Sequence, residues 1–491
     1  MSGIFGGTSF KRKILIKGLQ KIKHRGKDDW GIFCDQDVCL GHNHLAIIGL
    51  TKQNRQPFKL QRDGDFNVCL ILDGKIWNCL DLKKELIGKG HNFFTKSDTE
   101  VLLYCYLEWG EDFAKKIDGM FVFAIYDQKN QKIILARDWI GEIPLHYNYD
   151  GSKLYFASEI KAFESSFSAK TFPPAHYLVF DLKTKTPVLK KYYKLPTLSI
   201  NDSFRKATKK IRELLIEGVS KRLISDVPLC ALLSGGIDSL LITYILKNYQ
   251  PDTEAYVISY DKIDKKGDLY YADRAAKWLG IKLNKIFVTQ KEVIEKLPEI
   301  IYALESYKYY QVYAATANYF LAKRVKKDGY KVAFSGEGSD ELWGSYDTTR
   351  EGAGLPEFKK IRRYLIENIH KGNLNRINKV MLYSGSIEIR SPFLHKPLVE
   401  YCLNLPESYI TKGGERKYLL KEAFKDYIPL EFLQRPKVTI QDGSGTSDIF
   451  KKYILSSEYN KKNYTDIQMI FRDIFDTLFQ SKRKRRAKKD L

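Results

Sequence analysis

Short apolar segments alternate with polar turns through roughly the first 195 residues. Strand-length runs include Val68–Leu72, Met120–Tyr126 and Lys132–Ala136, and Asp-Gly and Asp-Gln pairs separate such runs. A helix is predicted from Asp98 to about Trp109. This mixture predicts an α+β domain over residues 1–190, for which two sheets packed face to face are one expected arrangement.

The pattern changes after a segment containing Pro, Thr and Ser at 187–204, which we interpret as a linker. Beyond it, helical stretches alternate with short apolar strands. Helices are predicted over 203–224, 239–249, 269–279, 290–304 and 314–327, and strands over 228–233, 255–260, 285–288 and 331–334. Such alternation is typical of a doubly wound parallel sheet, so we predict an α/β domain over 203–455. A polar, basic tail is predicted for 456–491.

Composition narrows the class of protein. The chain has 491 residues, 44% of them hydrophobic and 29% charged, which is typical of a soluble protein of two or three domains. No apolar run is long enough to span a membrane, and the N-terminus does not resemble a signal peptide, so a cytoplasmic location is expected. The cysteines are scattered, odd in number and without a CxxC pair, and reduced thiols are predicted. They are Cys34, Cys39, Cys69, Cys79, Cys105, Cys230 and Cys402.

The net charge of +23 is partly local, because the run from Lys482 to Lys489 carries seven positive charges. Such a run is able to bind nucleic acid or to remain a solvated tail. We favour the solvated tail, and no nucleic-acid partner is expected.

A glycine-rich turn carries the strongest chemical signal. The buried-strand run Leu229–Leu233 leads directly into Ser234, Gly235, Gly236, Ile237, Asp238 and Ser239, and a helical run over 240–246 follows. Unpaired N–H groups at a helix N-terminus form an anion site, and glycines let the backbone approach phosphates. The serine hydroxyls would add donors, and an aspartate beside phosphates is expected to hold Mg²⁺. The alternative is an ordinary turn between strand and helix.

A second acidic, glycine-rich segment follows the predicted strand at 331–334. It includes Ser335, Gly336, Glu337 and Asp340. Ligands bind at the carboxyl ends of strands in doubly wound sheets, so Glu337 is a candidate proton acceptor and Asp340 a candidate second Mg²⁺ ligand. The alternative is a polar loop with an acidic first helical turn. Lys437 is a third candidate, because a lysine there could neutralise a leaving pyrophosphate.

These motifs resemble the asparagine synthetase family, in which a class II glutamine amidotransferase is fused to an ATP pyrophosphatase domain. The resemblance extends from residue 1 to about 455. It is carried by 1–6, 24–26, 96–100, 136–141, 156–162, 226–239, 335–346, 388–394 and 435–445. It implies an N-terminal nucleophile hydrolase sandwich followed by an adenylate-forming α/β domain.

The resemblance also implies roles for residues. ATP and Mg²⁺ are the expected cofactors: a carboxylate would attack the α-phosphate, and ammonia would then displace AMP. Ser234 to Ser239 would cradle pyrophosphate, with Asp238 and Asp340 on Mg²⁺. Glu337 would deprotonate the nitrogen nucleophile, and Lys437 would stabilise the adenylation transition state. The ATP site would be lined by Leu233, Ile258, Ser335 and Gly336.

The N-terminal domain departs from the family pattern. Ser2 stands where the family has a nucleophilic cysteine, and a hydroxyl is less acidic and less nucleophilic than a thiol. His44 replaces an arginine, while Asp73 and Lys75 replace the asparagine and glutamate of an Asn-Gly-Glu element. The positions that match are Gly74 and Asp98. From these changes we predict a domain without glutaminase activity; an engineered Ser2 or a working serine nucleophile are the alternatives.

The second domain departs at Tyr313, Ala315 and His395, where the family has arginine, serine and aspartate. The leading hypothesis is an ATP-dependent ligase that amidates a carboxylate, aspartate by default, with ammonia or an amine. A β-lactam-synthetase-like ligase acting on another carboxylate and an RNA-modifying ATP pyrophosphatase are the alternatives. The oligomeric state stays open, with a homodimer as one option.

Overall fold

The computed structural model describes the chain except residues 10, 50–54, 63–64, 165–168, 261–266, 347–356, 437–443, 451–466 and 488–491. The chain divides into two compact units. The first comprises Met1–Lys194 with Ile224–Val227, and the second comprises Leu195–Leu223 with Pro228–Leu491.

The first unit contains two six-stranded antiparallel sheets, ordered β10-β8-β9-β1-β3-β2 and β12-β11-β7-β6-β5-β4. Its strands are Gly3–Thr8 (β1), Asp29–Cys34 (β2), Val38–His44 (β3), Phe58–Arg62 (β4), Asp65–Ile76 (β5), Gly119–Asp127 (β6), Lys132–Arg137 (β7), His146–Tyr149 (β8), Leu154–Ala157 (β9), Lys170–Thr171 (β10), His176–Asp181 (β11) and Thr186–Lys191 (β12). Its α-helices are Arg12–Lys21 (α1), Cys79–Gly88 (α2) and Asp98–Trp109 (α3).

Strand β6 shows why the apolar runs of this unit are continuous. Every residue of β6 is buried, because both faces of the strand are covered. Phe121 and Phe123 join the cluster that contains α2 and α3 residues, whereas the Tyr126 ring lies 5.9 Å from that of Phe33 on β2. The two sheets therefore pack face to face, and helices cover the outer face of the second sheet.

Part of the predicted linker is a strand. β12 pairs antiparallel with β11, with Thr186 opposite Asp181 and Lys191 opposite His176. Most of β12 is exposed at the edge of its sheet, so its side chains lack the alternation of apolar and polar residues that marks a half-buried strand.

The prediction that all cysteines are reduced is wrong for one pair. Cys34 and Cys39 form a disulfide, with their Cα atoms 4.2 Å apart. The register of the β2–β3 hairpin places the two residues directly opposite each other. A spacing of five residues does not reveal this proximity unless the turn between the strands is known. The free thiols are those of Cys69, Cys79, Cys105, Cys230 and Cys402.

The second unit is built on a five-stranded parallel sheet, ordered β15-β14-β13-β16-β17. Its strands are Leu229–Leu232 (β13), Glu254–Tyr260 (β14), Leu283–Val288 (β15), Val332–Phe334 (β16) and Glu388–Arg390 (β17). Its α-helices are Phe204–Ser220 (α4), Ile237–Tyr249 (α5), Asp268–Leu279 (α6), Gln290–Leu304 (α7), Tyr309–Lys327 (α8), Ser339–Trp343 (α9), Glu357–Asn368 (α10), Asn373–Gly385 (α11), Lys396–Asn404 (α12), Glu407–Ile410 (α13), Tyr418–Phe424 (α14), Leu430–Leu433 (α15) and Ile467–Ala487 (α16).

The order of this sheet positions the candidate site. Chain order runs from β13 outward through β14 to β15, and then returns to the other side of β13 with β16. β13 and β16 are parallel neighbours, with Ala231 opposite Phe334. Their carboxyl ends therefore lie side by side at the point where the strand order reverses, which is where ligands bind in sheets of this kind.

The predicted polar tail contains helix α16. Ile470 and Phe471 of this helix are fully buried, and the Phe471 ring lies 5.4 Å from that of Phe450. Apolar residues at 467, 470, 471, 474 and 475 form one helical face, which the high content of Lys and Arg nearby obscured in the sequence. The prediction of a purely polar tail is corrected for this segment.

Helix length and apolar character decide whether a segment is able to cross a bilayer. Among the helices of the described residues, none combines the length and apolar character that spanning a membrane would require.

Candidate active site

The turn after β13 is shaped by a glycine that no other residue replaces easily. Gly235 has φ of 75°, and a Cβ atom there would lie 2.5 Å from the Ala272 nitrogen on α6. Gly236 caps α5 without a side-chain hydrogen bond. The backbone therefore approaches α6 closely while the N-terminus of α5 stays directed toward the carboxyl end of the sheet.

Two serines brace this turn. The Ser239 hydroxyl donates to the Gly236 carbonyl at 3.0 Å, and the Ser234 N–H donates to Ser239 Oγ at 3.2 Å. The two hydroxyl oxygens are 3.1 Å apart. The structure thus shows the hydroxyls holding the loop itself, in addition to the phosphate-donor role that the sequence predicts for them.

The turn after β16 lies against the first turn. A Cβ atom on Gly336 would come within 2.9 Å of Asp238 Cβ, so only glycine allows this approach. The Ser339 hydroxyl donates to Asp238 Oδ1 at 2.6 Å. Parallel pairing of β13 with β16 therefore brings the two motifs together.

Lys417, which the sequence analysis did not identify, joins the turn after β13 to the turn after β16. These turns are called the first and the second loop below. Lys417 Nζ lies 2.6 Å and 2.5 Å from the two carboxylate oxygens of Asp238, and 2.8 Å from Asp340 Oδ1. Its side chain is only 4% exposed. Burial by itself would lower the pKa of Lys417, but the negative charges of Asp238 and Asp340 outweigh burial and raise the pKa.

This arrangement shows what Asp238 and Asp340 are able to bind. Their carboxylates come from the first turns of two different helices, α5 and α9, yet both contact one buried cationic atom. Oxygen ligands that converge on one positive charge form the type of donor set that suits a hard cation such as Mg²⁺. The residues present therefore fit the metal that the sequence predicts at this position.

Glu337 is held by an arginine from a different helix. Arg376 Nη2 of α11 donates to Glu337 Oε1 at 2.6 Å, and Arg376 Nη1 donates to Asn318 Oδ1 of α8 at 2.8 Å. The Glu337 side chain keeps 18% of its surface exposed, whereas that of Arg376 keeps 4%. Arg376 therefore orients the carboxylate while leaving part of it accessible to a ligand.

Glu341 adds a third carboxyl group to this region. Its Oε1 accepts hydrogen bonds from the Tyr346 hydroxyl at 2.6 Å and from Asn373 Nδ2 at 2.7 Å. Burial, followed by the charges of Asp340 and Glu337, raises the pKa of Glu341 to about 7.

These groups surround one cavity of about 930 Å³ within the second unit. Its lining includes the predicted residues Leu233, Ser234, Gly236, Asp238, Ser239, Ile258, Ser335, Gly336, Glu337 and Asp340, together with Lys417 and Arg376. Gly235 lies behind the loop against α6. Lys437 lies outside the described residues. The structure brings the predicted residues together, and their roles toward ATP stay predictions.

Arg435 connects the first loop with α6. Its Nη1 donates to the Ser234 carbonyl at 2.8 Å, and its Nη2 contacts Asp268 Oδ1 at 2.5 Å. The guanidinium also lies 4.4 Å from the centre of the Tyr271 ring. These contacts fix the Ser234 carbonyl and tie the turn after β13 to α6.

In the first unit, a buried charge cluster anchors Ser2. The Ser2 N–H donates to Asp73 Oδ1 at 2.6 Å, and Arg25 Nε donates to the Ser2 carbonyl at 2.8 Å. Arg25 also pairs with Asp73 at 2.9 Å. The Leu45 N–H reaches Ser2 Oγ at 3.5 Å. Asp73 thus accepts a hydrogen bond from the backbone of the residue at the candidate nucleophile position.

The other predicted residues of this pocket lie on β3, on β5 and at the start of α3. Lys75 Nζ pairs with Asp98 Oδ2 at 2.8 Å. Gly74 has φ of 132°, and a Cβ atom there would lie 2.1 Å from the Met120 carbonyl oxygen. The His44 ring lies 5.6 Å from that of His42.

The unusual residues of the second unit are in packed surroundings. The Tyr313 ring stacks on Phe450 at 4.7 Å, which accommodates an aromatic residue where the family has arginine. Ala315 is fully buried in the core. Burial, followed by the positive charge of Arg222, lowers the pKa of His395 to about 3, so this imidazole is neutral at physiological pH.

The chain combines an N-terminal unit of the glutamine amidotransferase type with a parallel-sheet unit of the ATP pyrophosphatase type. Residues 1–209 match the glutamine amidotransferase domain model, and residues 210–379 and 351–491 match the asparagine synthase model. The chain is 33% identical over 464 residues to asparagine synthetase [glutamine-hydrolyzing] 2 of Oryza sativa, covering 91% of this chain and 76% of that protein. It is 30% identical over 475 residues to asparagine synthetase B [glutamine-hydrolyzing] of Escherichia coli, covering 91% and 83%.

The chain belongs to the asparagine synthetase family, whose members are ATP-dependent carbon–nitrogen ligases. The predictions of family, fold class and enzyme class are confirmed. Among solved structures, a glutamine phosphoribosylpyrophosphate amidotransferase of Bacillus subtilis is 19% identical with a TM-score of 0.35, covering 51% of this chain and 64% of that chain. An NH3-dependent NAD synthetase of Campylobacter jejuni is 15% identical with a TM-score of 0.25, covering 56% and 94%. The family assignment depends on the family models and relatives, since both scores are low.

The prediction that this enzyme works without glutamine hydrolysis is wrong. The first 209 residues match the glutamine amidotransferase model, and the relatives are named as glutamine-hydrolysing. The prediction was based on four substitutions in one pocket, whereas the match to the family model extends over the whole domain. Those substitutions do not remove the chain from the glutamine-hydrolysing family.

Proposed function

We propose that this protein converts aspartate to asparagine with ATP, using nitrogen taken from glutamine. The observation that carries the proposal is the convergence of Asp238 and Asp340 on one buried cation, at the carboxyl ends of two neighbouring parallel strands. That place in the fold suits the phosphates of a nucleotide. Aspartate and glutamine are assigned by similarity to the relatives.

The first step is adenylation. A side-chain carboxylate oxygen of aspartate attacks the α-phosphorus of ATP, the bond between this phosphorus and the bridging oxygen breaks, and pyrophosphate leaves. The N–H groups at the start of α5 receive the pyrophosphate oxygens. Asp238 and Asp340 would hold Mg²⁺, which neutralises charge on the phosphates when it is bound. Lys437 is proposed to stabilise the same transition state.

The second step forms the amide. Ammonia attacks the acyl carbon, the bond from this carbon to the AMP oxygen breaks, and AMP leaves. The nitrogen must lose a proton during this step, and Glu337 is the proposed acceptor because its carboxylate is oriented by Arg376 and lines the cavity. Leu233, Ile258, Ser335 and Gly336 are proposed to contact the nucleotide.

The first unit is proposed to release ammonia from glutamine. Ser2 is the candidate nucleophile, since its backbone is held by Asp73 and Arg25 at the start of β1.

The proposal also includes a cytoplasmic location and a homodimer. Cell fractionation and size-exclusion chromatography with light scattering test these two points.

The reaction itself is tested with the purified chain, MgATP and aspartate, with either glutamine or ammonium as nitrogen source. Asparagine, AMP and pyrophosphate should appear in equal amounts. Asp238→Asn should abolish pyrophosphate release with both nitrogen sources. If aspartate yields no pyrophosphate with either source, aspartate is not the substrate. ADP in place of AMP would overturn the adenylation step.

A further inference from the structure

Lys417 has an unusual backbone for a residue with a long side chain. It directly precedes α14, with φ of 58° and ψ of 32°, in the left-handed region that disfavours residues other than glycine. Its surroundings must therefore hold it in place. Hydrogen bonds from its side-chain nitrogen to Asp238 and Asp340 fix the far end of the side chain.

That nitrogen is shared between the two loops of the candidate site. All three of its contacts go to carboxylate oxygens, two on Asp238 and one on Asp340. These carboxylates are the ones proposed to bind Mg²⁺. An ammonium group and a metal ion cannot occupy the same point, and each repels the other.

We propose that Lys417 is an internal cation that occupies the metal position until nucleotide arrives. Without phosphates, the two carboxylates carry two negative charges, which the lysine partly balances, and a free divalent ion is excluded. When phosphates enter, their added negative charge allows a second cation to bind. The metal then takes the carboxylates, and the Lys417 ammonium turns to the phosphate oxygens. Metal therefore binds together with nucleotide or pyrophosphate, and poorly before it.

This inference rests on the proposed function only in taking Asp238 and Asp340 as metal ligands. It predicts that removal of the Lys417 charge has opposite effects on the affinities for two ligands. Removing the lysine should strengthen the binding of free metal and weaken the binding of metal–pyrophosphate. A lysine with a purely structural role would not produce that reversal.

The test uses Mn²⁺ as a paramagnetic probe of the full-length chain, without aspartate or any nitrogen source. Electron paramagnetic resonance measures Mn²⁺ binding with and without pyrophosphate. Lys417→Gln should tighten the binding of Mn²⁺ alone by at least about tenfold, and it should weaken pyrophosphate binding at saturating Mn²⁺ by a similar factor. Unchanged Mn²⁺ affinity, or unchanged pyrophosphate affinity, in the folded variant would overturn the proposal.

Lys421→Gln is the matched control. Lys421 lies on α14, lines the same cavity and pairs with Glu415 at 2.8 Å rather than with the metal-site carboxylates. Its substitution should leave Mn²⁺ affinity within about twofold, and a gain equal to that of Lys417→Gln would overturn a specific role for Lys417.

The wild-type protein supplies a test that does not depend on the folding of the Lys417 variant. Pyrophosphate should raise its Mn²⁺ affinity by at least about tenfold, and Asp340→Asn should remove that increase. Tight Mn²⁺ binding at this site in the absence of pyrophosphate would overturn the proposal. A failure of asparagine formation would leave these binding results unchanged, so the two proposals fail separately.

Discussion

Arg376 and Glu337 form an ion pair of 2.6 Å across the cavity wall, although they lie 39 residues apart on different elements. Arg376 is itself fixed by Asn318, so the guanidinium is a rigid support for the carboxylate. The proposed proton acceptor is therefore held in place by a residue from a different helix.

Replacing this support should affect the second step more than the first. In Arg376→Gln, Glu337 loses its orienting partner, so amide formation should fall by about tenfold to a hundredfold, while adenylation falls less. Hydroxylamine trapping of the acyl-adenylate and quantification of asparagine separate the two steps. Arg363→Gln is a control, because Arg363 on α10 contacts the Leu195 carbonyl instead. Equal losses in both steps would contradict the positioning role.

The carboxyl group of Glu341 should make stability depend on pH. Its pKa rises from 4.5 to about 7 on folding, so the folded state favours the protonated form. The stabilisation is complete below about pH 4.5 and is lost as pH rises through about 7, with a ceiling of roughly 3 kcal/mol.

Glu341→Gln keeps an oxygen that accepts from Tyr346 and Asn373 but cannot ionise. The free energy of unfolding of wild type, relative to this variant, should decline between about pH 5 and pH 7 and then level off. Urea denaturation across this range measures the difference. A constant difference would show that Glu341 does not titrate there.

The first loop should not accept a side chain at Gly235. Its φ of 75° brings backbone strain, and the 2.5 Å between an added Cβ atom and the Ala272 nitrogen brings a clash against main-chain atoms. Gly235→Ala should lower the free energy of unfolding by about 2 kcal/mol or more and abolish pyrophosphate release.

Gly280→Ala tests the effect of backbone strain without a steric clash. Gly280 ends α6 with φ of 64°, but a Cβ atom there meets no described atom within 4 Å. The expected loss is about 1 kcal/mol, with the reaction intact. Thermal denaturation of both variants checks this, and equal destabilisation would remove the clash as a cause.

Ser2 offers a test of nitrogen supply. Ser2→Ala should abolish asparagine formation with glutamine while preserving formation with ammonium, because the proposed second step takes ammonia as its nucleophile. Ser2→Cys should raise glutamine hydrolysis, since a thiolate is the stronger nucleophile at neutral pH. Glutamate release measures hydrolysis. Retained hydrolysis in Ser2→Ala would show that Ser2 is not the nucleophile.

The pattern of hydrophobic and polar residues was sufficient to predict the helices and strands that are buried or strongly periodic. Helix α7 was predicted over 290–304 and is observed over Gln290–Leu304. The candidate loops could also be predicted from the sequence, because glycine and acidic residues follow apolar strands in a short, local pattern. Where the signal was weak, as in edge strand β12 and helix α16, exposure or charge masked the period.

Contacts between distant residues required the tertiary structure. The amino-acid sequence by itself determined that two glycine-rich loops with acidic residues exist and which strands precede them, since these depend on local residue order. Strand pairing and helix packing decided three contacts that the sequence does not show. Lys417 lies between Asp238 and Asp340. Arg376 holds Glu337, and Cys34 faces Cys39. A lysine is one of many in this basic chain, and only burial against two carboxylates distinguishes this one from the others.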